Sequence, residues 1–411
     1  MGTCASKKAD ASHCTVLHES SPKIKALSRQ RSLVLELEEE ELNKWKSIHQ
    51  QGHIPCERSG HATVIVGSTV FIFGGYGGSD PVHLSDLHMF DLENRQWNKI
   101  RDKGDIPCPR TAFAMCYNDK NSIFLWGGTD HDLQGLADQD IYEFQIHYRK
   151  WNRVTTYNRG ILDLRYFGRS ATAYSDGILF FGGGVKGGRF TNELLRLDQI
   201  SYRWERMKTT GQMPSARYKH QAVLVDDKLY IVGGGCYLPP QDLIDVYVLC
   251  LKTWHWSVVQ TVGDVPEGRA AHTCEYDSVD QCIYMWGGFN KSLVPLQDLH
   301  KLCLKTLTWT PICDAKDNHN VPPCRSFHSS CFYNGALYSF NGSDGEKRYD
   351  DITRFQLRRT PATLSTLSVR TLVEHFKIDE YAKLKSHMPD SVVKKFDQML
   401  NRAPIDRVPY S

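Results

Sequence analysis

An apolar run closed by two glycines recurs at a step of 51 to 55 residues, as FIFGG (Gly74, Gly75), IFLWGG (Gly127, Gly128), LFFGG (Gly182, Gly183), YIVGG (Gly233, Gly234) and IYMWGG (Gly287, Gly288). About ten residues after each pair an acid opens a short strand, at Asp86, Asp140, Glu193, Asp245 and Asp298. Eleven residues further on stand Trp97, Trp151, Trp204, Trp256 and Trp309. Thirteen to sixteen residues after each tryptophan comes an arginine (Arg110, Arg165, Arg217, Arg269, Arg325), in R-x-x-H form where His220, His272 and His328 follow. Four short segments per repeat, with turn residues between them, predict one antiparallel propeller blade. Strands buried on both faces read as continuous apolar runs, and the glycines let the backbone turn where a side chain would clash. The tryptophan is placed to fill the wedge that opens between blades away from the axis. One blade has no closed core of its own, so the repeats must close into a ring.

The ends of the repeat region show how. A sixth repeat starts at Arg325 and His328 and runs through ALYSFNG, where Asn341 replaces the first glycine before Gly342. It continues into DITRFQL from Asp351, but no tryptophan follows. NKWKSI around Trp45 reads like QWNKI at Trp97, and Trp45 precedes Arg58 by thirteen residues as Trp97 precedes Arg110. The expected fold is all-β: a six-bladed propeller over residues 38–358, closed by an N-terminal strand that leaves no open edge. A flexible tail over 1–37 and a short C-terminal α-helical tail over 359–411 complete the expected organisation.

Composition narrows the function. Among 411 residues, 50 basic side chains nearly balance 47 acidic ones for a net charge of +3, which does not point to nucleic acid. No stretch approaches the roughly 18–20 apolar residues of a membrane span. Thirteen cysteines without a CxxC pair or an apolar leader suggest reduced thiols, with cytoplasmic or nuclear location expected. No HExxH, GxSxG or P-loop is present, and GGGVKGG at 182–188 lacks the GK[ST] ending. No catalytic residue, metal or cofactor is expected. Asn341-Gly342-Ser343 is read as the sixth diglycine position rather than a glycosylation site.

A binding role draws on the loops after each diglycine and the segments that open each repeat. These carry Tyr76, Lys186, Arg189, Tyr237, Phe289 and Lys291, with Arg165, Tyr166, Phe167, Arg217, Tyr218, Lys219, Ser326 and Phe327. Cations beside aromatic walls suit a peptide carboxylate and the side chains that precede it. The repeat-start arginines have an alternative role as anchors inside their own blades, whereas Lys186, Arg189, Lys219 and Lys291 are less repeat-like.

The diglycines, the downstream tryptophans and the R-x-x-H starts together resemble kelch repeats over about three-quarters of the chain. Beyond Leu357 the pattern turns helical: Thr360-Pro361 opens a helix, and Leu364, Leu367, Leu372, Val373 and Phe376 fall mostly on one stripe. TLSTLSVRTL is similar to the elongin C-binding box, with Thr363, Leu364, Ser368 and Leu372 in its places. Leu364 would be the knob that enters the partner, with Ser368 small enough for close approach. Met388-Pro389 with Val392 resembles the cullin-2 box that follows it. A kelch propeller followed by both boxes resembles the kelch-domain-containing substrate receptors of cullin-2 ubiquitin ligases. The resemblance implies a non-catalytic receptor with elongin C, elongin B and cullin-2 as partners and proteins bearing C-terminal degrons as substrates. It does not carry over a Gly-Gly specificity, because the fourth-blade loop GGGCYLPPQD (233–242) lacks the arginines that such a relative uses.

The first residues, MGTCASKK, fit N-myristoylation at Gly2, with Cys4 available for a palmitoyl chain and Lys7-Lys8 for a weak electrostatic contact. A lipid-anchored membrane fraction follows from that pattern. The alternative reading of the whole chain is a membrane-tethered kelch scaffold for cytoskeletal or trafficking proteins.

Overall fold

The computed structural model describes residues 42–130, 138, 140–162, 166–185, 187–236, 242–313 and 321–358. Apart from Leu42, these residues belong to one unit, Asn43–Arg359. Gly2, Cys4, Arg165, Lys186, Tyr237 and the tail residues Thr363, Leu364, Leu367, Ser368, Leu372, Met388 and Pro389 lie outside the described residues. Among the described residues there are strands and one 3-10 turn, Arg159–Ile161, and no α-helix.

Six blade sheets, antiparallel through their main strands, follow one another along the chain, with a small separate sheet of Tyr166–Phe167, Gly184–Val185 and Arg189–Phe190 beside the third. Their first strands are Ala62–Val66, Ala114–Tyr117, Ser170–Tyr174, Gln221–Val225, Thr273–Asp277 and Ser329–Tyr333. Their second strands, which lead into the diglycines, are Thr69–Gly77, Ser122–Trp126, Gly177–Phe181, Lys228–Val232, Cys282–Trp286 and Ala336–Phe340. The first strands adjoin in a closed cycle, the sixth returning to the first, so the sheets are blades around a common axis. In the sixth blade the outer strand is Trp45–Ser47, antiparallel to Ile352–Gln356 with Trp45 opposite Phe355. The chain therefore closes the ring with its own N-terminal strand, as the displaced tryptophan predicts.

Two features of the repeat explain the closure. Each outer-strand tryptophan is at most 1% exposed and packs on the residue just before the diglycine of the preceding blade. Trp151 lies 5.3 Å from Phe73, Trp204 4.5 Å from Trp126, Trp256 5.3 Å from Phe181, and Trp97 6.5 Å from Phe340. Trp45 lies 4.4 Å from Trp286, and Trp309 shares a buried cluster with Val232. The second glycine of each pair donates its N–H to the carbonyl of the residue opening the next blade: Gly75 to Arg110, Gly128 to Tyr166, Gly183 to Arg217, Gly234 to Arg269, Gly288 to Arg325 and Gly342 to Arg58. These six bonds of 2.7–3.0 Å form a complete circuit.

The first glycine of each pair is left-handed and crowded. A Cβ on Gly233 would sit 2.8 Å from both the Arg269 carbonyl oxygen and His272 Cε1. Asn341 takes the equivalent position at φ 54°, which asparagine adopts more readily than most side chains. It donates to the Tyr349 carbonyl at 3.1 Å.

A candidate binding site at the channel mouth

Where the blades open onto the axis, one residue per blade is left-handed: Gly60, Ala112, Gly168, Lys219, Ala271 and Phe327, with φ between 53° and 67°. Each donates its N–H to the carbonyl of the equivalent residue in the preceding blade at 2.6–3.2 Å, and Gly60 donates to Phe327. This second circuit of backbone bonds rims the mouth of a cavity of about 210 Å³. Four of the six positions carry a glycine or alanine. The two large side chains, Lys219 and Phe327, face each other over Ala271, with the ammonium 5.0 Å from the ring centroid.

No described residue accepts a hydrogen bond from Lys219 or forms an ion pair with it. Burial alone brings its ammonium down to about 8 from the ordinary lysine value of 10.5. A desolvated cation with a ring on one side favours an anion entering the mouth. Aromatic walls flank it: Phe190 and Phe167 lie 5.1 and 6.1 Å from Tyr218, and Phe289 lies 5.7 Å from Phe327. Arg348 covers the ring of Tyr76 at 4.6 Å.

One layer deeper stand His61, Phe113, Arg169, His220, His272 and His328, which also line the cavity. His61 Nε2 meets Ser329 Oγ at 2.7 Å, His220 meets Ser170 at 2.9 Å and His328 meets Thr273 at 3.0 Å, in each case on the preceding blade. Burial, reinforced by the arginine of the same blade, pushes the pKa of His61 and of His272 down to about 3. These rings are neutral at physiological pH, and those of His61, His220 and His328 join blades to one another. Among the described residues no three His, Cys, Asp or Glu side chains gather in a way that could hold a metal.

The repeat-start arginines turn away from the mouth. Arg217 is fully buried and grips Asp245 with two bonds of 2.8 Å while donating to the Gly233 carbonyl at 2.8 Å. Arg58, Arg269 and Arg325 make the same two-pronged contact with Asp86, Asp298 and Asp351. Arg110 pairs with Asp138, two residues before the Asp140 that spacing singles out, and Asp140 instead holds Arg153 and Arg159. Burial opposes ionisation of Asp86 and Asp298, yet bonds from the arginine and a histidine hold both carboxyls well below their ordinary range.

The third blade departs from the motif, and here the sequence spacing misleads. Counting back from the diglycine, the arginine position is held by Tyr166, not Arg165, and the histidine position by Arg169. Arg169 is 6% exposed and lies over the Tyr166 ring at 3.9 Å. Its Nε donates to the Gly182 carbonyl, the acceptor that blade arginines use elsewhere. Tyr166 is buried and donates to Glu193 at 3.3 Å. Sequence reading passed over Arg169; the constant distance of thirteen residues from the first glycine to His61 and to His220 is the signal that finds it.

The described residues expected to meet a ligand thus divide. Lys219 and Phe327 line the cavity, Phe289 is buried against Phe327 and Tyr218 packs against Phe167 and Phe190, while Tyr166 and Arg217 belong to the interiors of their blades. Ser326 is buried and exchanges backbone bonds with Ser343 at 2.8 and 3.0 Å. Arg189 is exposed on a small hairpin where Arg189–Phe190 pairs with Gly184–Val185. Lys291 is exposed and paired with Asp242 across the fourth and fifth blades.

Comparison with known proteins agrees with this architecture. The family model described as the KLHDC2/KLHL20/DRC7 Kelch-repeats domain matches residues 61–260 and 219–371. Kelch domain-containing protein 10 of Xenopus tropicalis is 26% identical over 275 residues, which cover 63% of this chain and 65% of that protein. The Homo sapiens protein of the same name is 26% identical over 282 residues, 64% of this chain and 62% of its own length. Kelch domain-containing protein 2 of Bos taurus is 25% identical over 387 residues, covering 83% and 91%. The chain thus spans just under two thirds of the Kelch domain-containing protein 10 relatives from frog and human. With six blades, two backbone circuits and a matching family model over most of its length, the chain belongs to the KLHDC2/KLHL20/DRC7 kelch-repeat family and is a kelch β-propeller protein.

Proposed function

We propose that this propeller is the substrate-recognition subunit of a cullin-RING E3 ubiquitin ligase, which receives the C-terminal end of a degron peptide at the channel mouth. The observation that carries the reading is Lys219: a desolvated ammonium with no carboxylate partner among the described residues, set in an aromatic-walled opening. A peptide carboxylate would supply the missing charge, with Tyr218, Phe289 and Phe327 covering the preceding side chains. Arg165, Arg189, Lys186, Tyr237 and Lys291 belong to the same proposal as outer contacts. Thr363 to Leu372 would dock elongin C and bring elongin B, with Met388-Pro389 contributing to the choice of cullin-2. The family relationship supports this assignment of a binding rather than a catalytic task.

Two outcomes are expected. Elongins B and C should co-purify with the wild type and not with Leu364→Glu; equal recovery sinks the ligase reading. Peptides selected from a C-terminal library should lose binding when amidated or when Lys219→Met is tested, and affinity for free carboxylates should fall as pH rises through about 8. The stability effect has the opposite sign. Because burial lowers the folded-state pKa of Lys219, the unfolded chain binds its proton more tightly, and stability rises as pH climbs from about 8 towards 10.5. Lys219→Met should therefore melt higher than wild type at pH 7 while binding less, and a variant that melts lower would count against the desolvated cation.

A further inference from the structure

We infer that Cys303 and Cys282 are a redox-reactive dithiol that closes to a cross-strand disulfide inside the fifth blade. The two residues are directly opposite in register where Cys282–Trp286 pairs with Leu299–Cys303. The N–H of Leu304 bonds to the Gln281 carbonyl at 3.0 Å, so the hydrogen-bonded pair is the one next along and the two cysteines form a non-hydrogen-bonded pair. In such pairs Cα atoms lie about 4.5 Å apart and side chains converge, which is inside the range a disulfide spans. Cys303 is partly exposed and Cys282 is buried, which fits an attacking thiol with a resolving thiol behind it.

The turn after the third strand explains why Cys303 is the attacker. In the first blade Asp91 ends that strand, and its carboxylate accepts the N–H groups of Glu93 and Asn94 at 2.9 Å. In the third blade Asp198 accepts from Ile200 and Ser201 at 3.2 and 2.7 Å. Cys303 stands at the same place, where Thr306 and Lys305 of the turn that follows favour its thiolate. A turn that elsewhere solvates a carboxylate here solvates a thiolate, bringing Cys303 down to about 7. Burial pushes Cys282 up to about 11, so it waits as a thiol, donating to the Asp280 carbonyl at 3.3 Å.

With a peroxide as oxidant, the Cys303 thiolate attacks one peroxide oxygen, the O–O bond breaks, and the departing oxygen takes a proton to leave as water. Cys303 is then a sulfenic acid. The Cys282 sulfur displaces its hydroxyl, which leaves as water with the Cys282 proton. Two thiols have lost two electrons and two protons, and one peroxide has become two waters. The new bond closes the hairpin that carries Phe289 and Lys291.

The test is peptide mapping of the whole protein after brief hydrogen peroxide treatment, without reductant. A Cys282–Cys303 linked pair should form and should vanish on reduction. Cys282→Ser should leave Cys303 as a sulfenic acid trapped by dimedone, and Cys303→Ser should leave Cys282 unreacted. At pH 7 iodoacetamide should label Cys303 about tenfold faster than Cys236. Cys236 is exposed, but burial of its sulfur raises its pKa and it donates to the Ala216 carbonyl. Labelling no faster than Cys236, or wild-type Cys303 oxidised without a link to Cys282, overturns the inference.

Discussion

Arg217→Ala should cost about 3–5 kcal/mol of folding stability, the loss expected when one partner of a buried ion pair is removed and the other is left uncompensated. Arg217 is completely buried and its guanidinium is engaged on every side: the Asp245 carboxylate, the Gly233 carbonyl, and the carbonyl and hydroxyl of Ser215. Its flat face lies 5.3 Å from the Tyr247 ring. Removing it strands a carboxylate whose side chain is only 17% exposed and leaves the first-glycine carbonyl without a donor. Arg217→Lys should recover little, because an ammonium cannot bridge both carboxylate oxygens and a carbonyl in one plane. The Arg217→Ala, Asp245→Ala double variant should be more stable than Arg217→Ala alone, since no charge is then abandoned. Urea midpoints measured on the four proteins decide it. A loss below about 1 kcal/mol combined with abolished peptide binding would return Arg217 to the ligand and overturn its assignment to the blade interior.

This contrast between Arg217 and Lys219, two residues apart, shows what the sequence could and could not convey. The blade count, the position of the closing strand and the burial of the tryptophans follow from periodicity, because a ring repeats its packing at each blade. What a side chain faces at the start of a repeat does not. Arg217 and Lys219 are both cations in the stretch RYKH, and the left-handed turn at Lys219 sends one into the blade and the other into the mouth. The third blade is invisible to a search for arginine followed by histidine, since a tyrosine, Tyr166, stands at the arginine position and an arginine, Arg169, at the histidine position. A further repeat went unread. Gly52, Gly104, Gly211 and Gly263 each precede a proline by three residues and lie on two-residue strands that run parallel to the tryptophan strand of the next blade. They cover the outer edge that a four-stranded blade would expose. Their φ values of 82–86° and the Trp carbonyl oxygen within 2.1–2.5 Å of any added Cβ explain why glycine is used there.

Trp45→Ala is expected to be as damaging as Arg217→Ala, and through a different step. The side chain is 1% exposed, 4.4 Å from Trp286 and 5.3 Å from Phe355, so truncation alone costs about 3–5 kcal/mol. Trp256→Ala removes the same atoms from an equivalent wedge, 5.3 Å from Phe181, and serves as the control. The difference lies in connectivity. The strand bearing Trp256 is joined to its neighbour by a short turn, whereas Trp45–Ser47 pairs with Ile352–Gln356 from the far end of the ring. That pairing closes the longest loop in the propeller and has no local turn to hold it once its packing is weakened. Fraying there bares the edge of Ile352–Gln356 to a second molecule, so Trp45→Ala should self-associate and be clipped by protease near residue 45 while Trp256→Ala is not. A contact made only when the two ends meet forms late. Trp45→Ala should then speed unfolding with little change in the folding rate, and a slowed folding limb in denaturant kinetics would show instead that closure nucleates the ring.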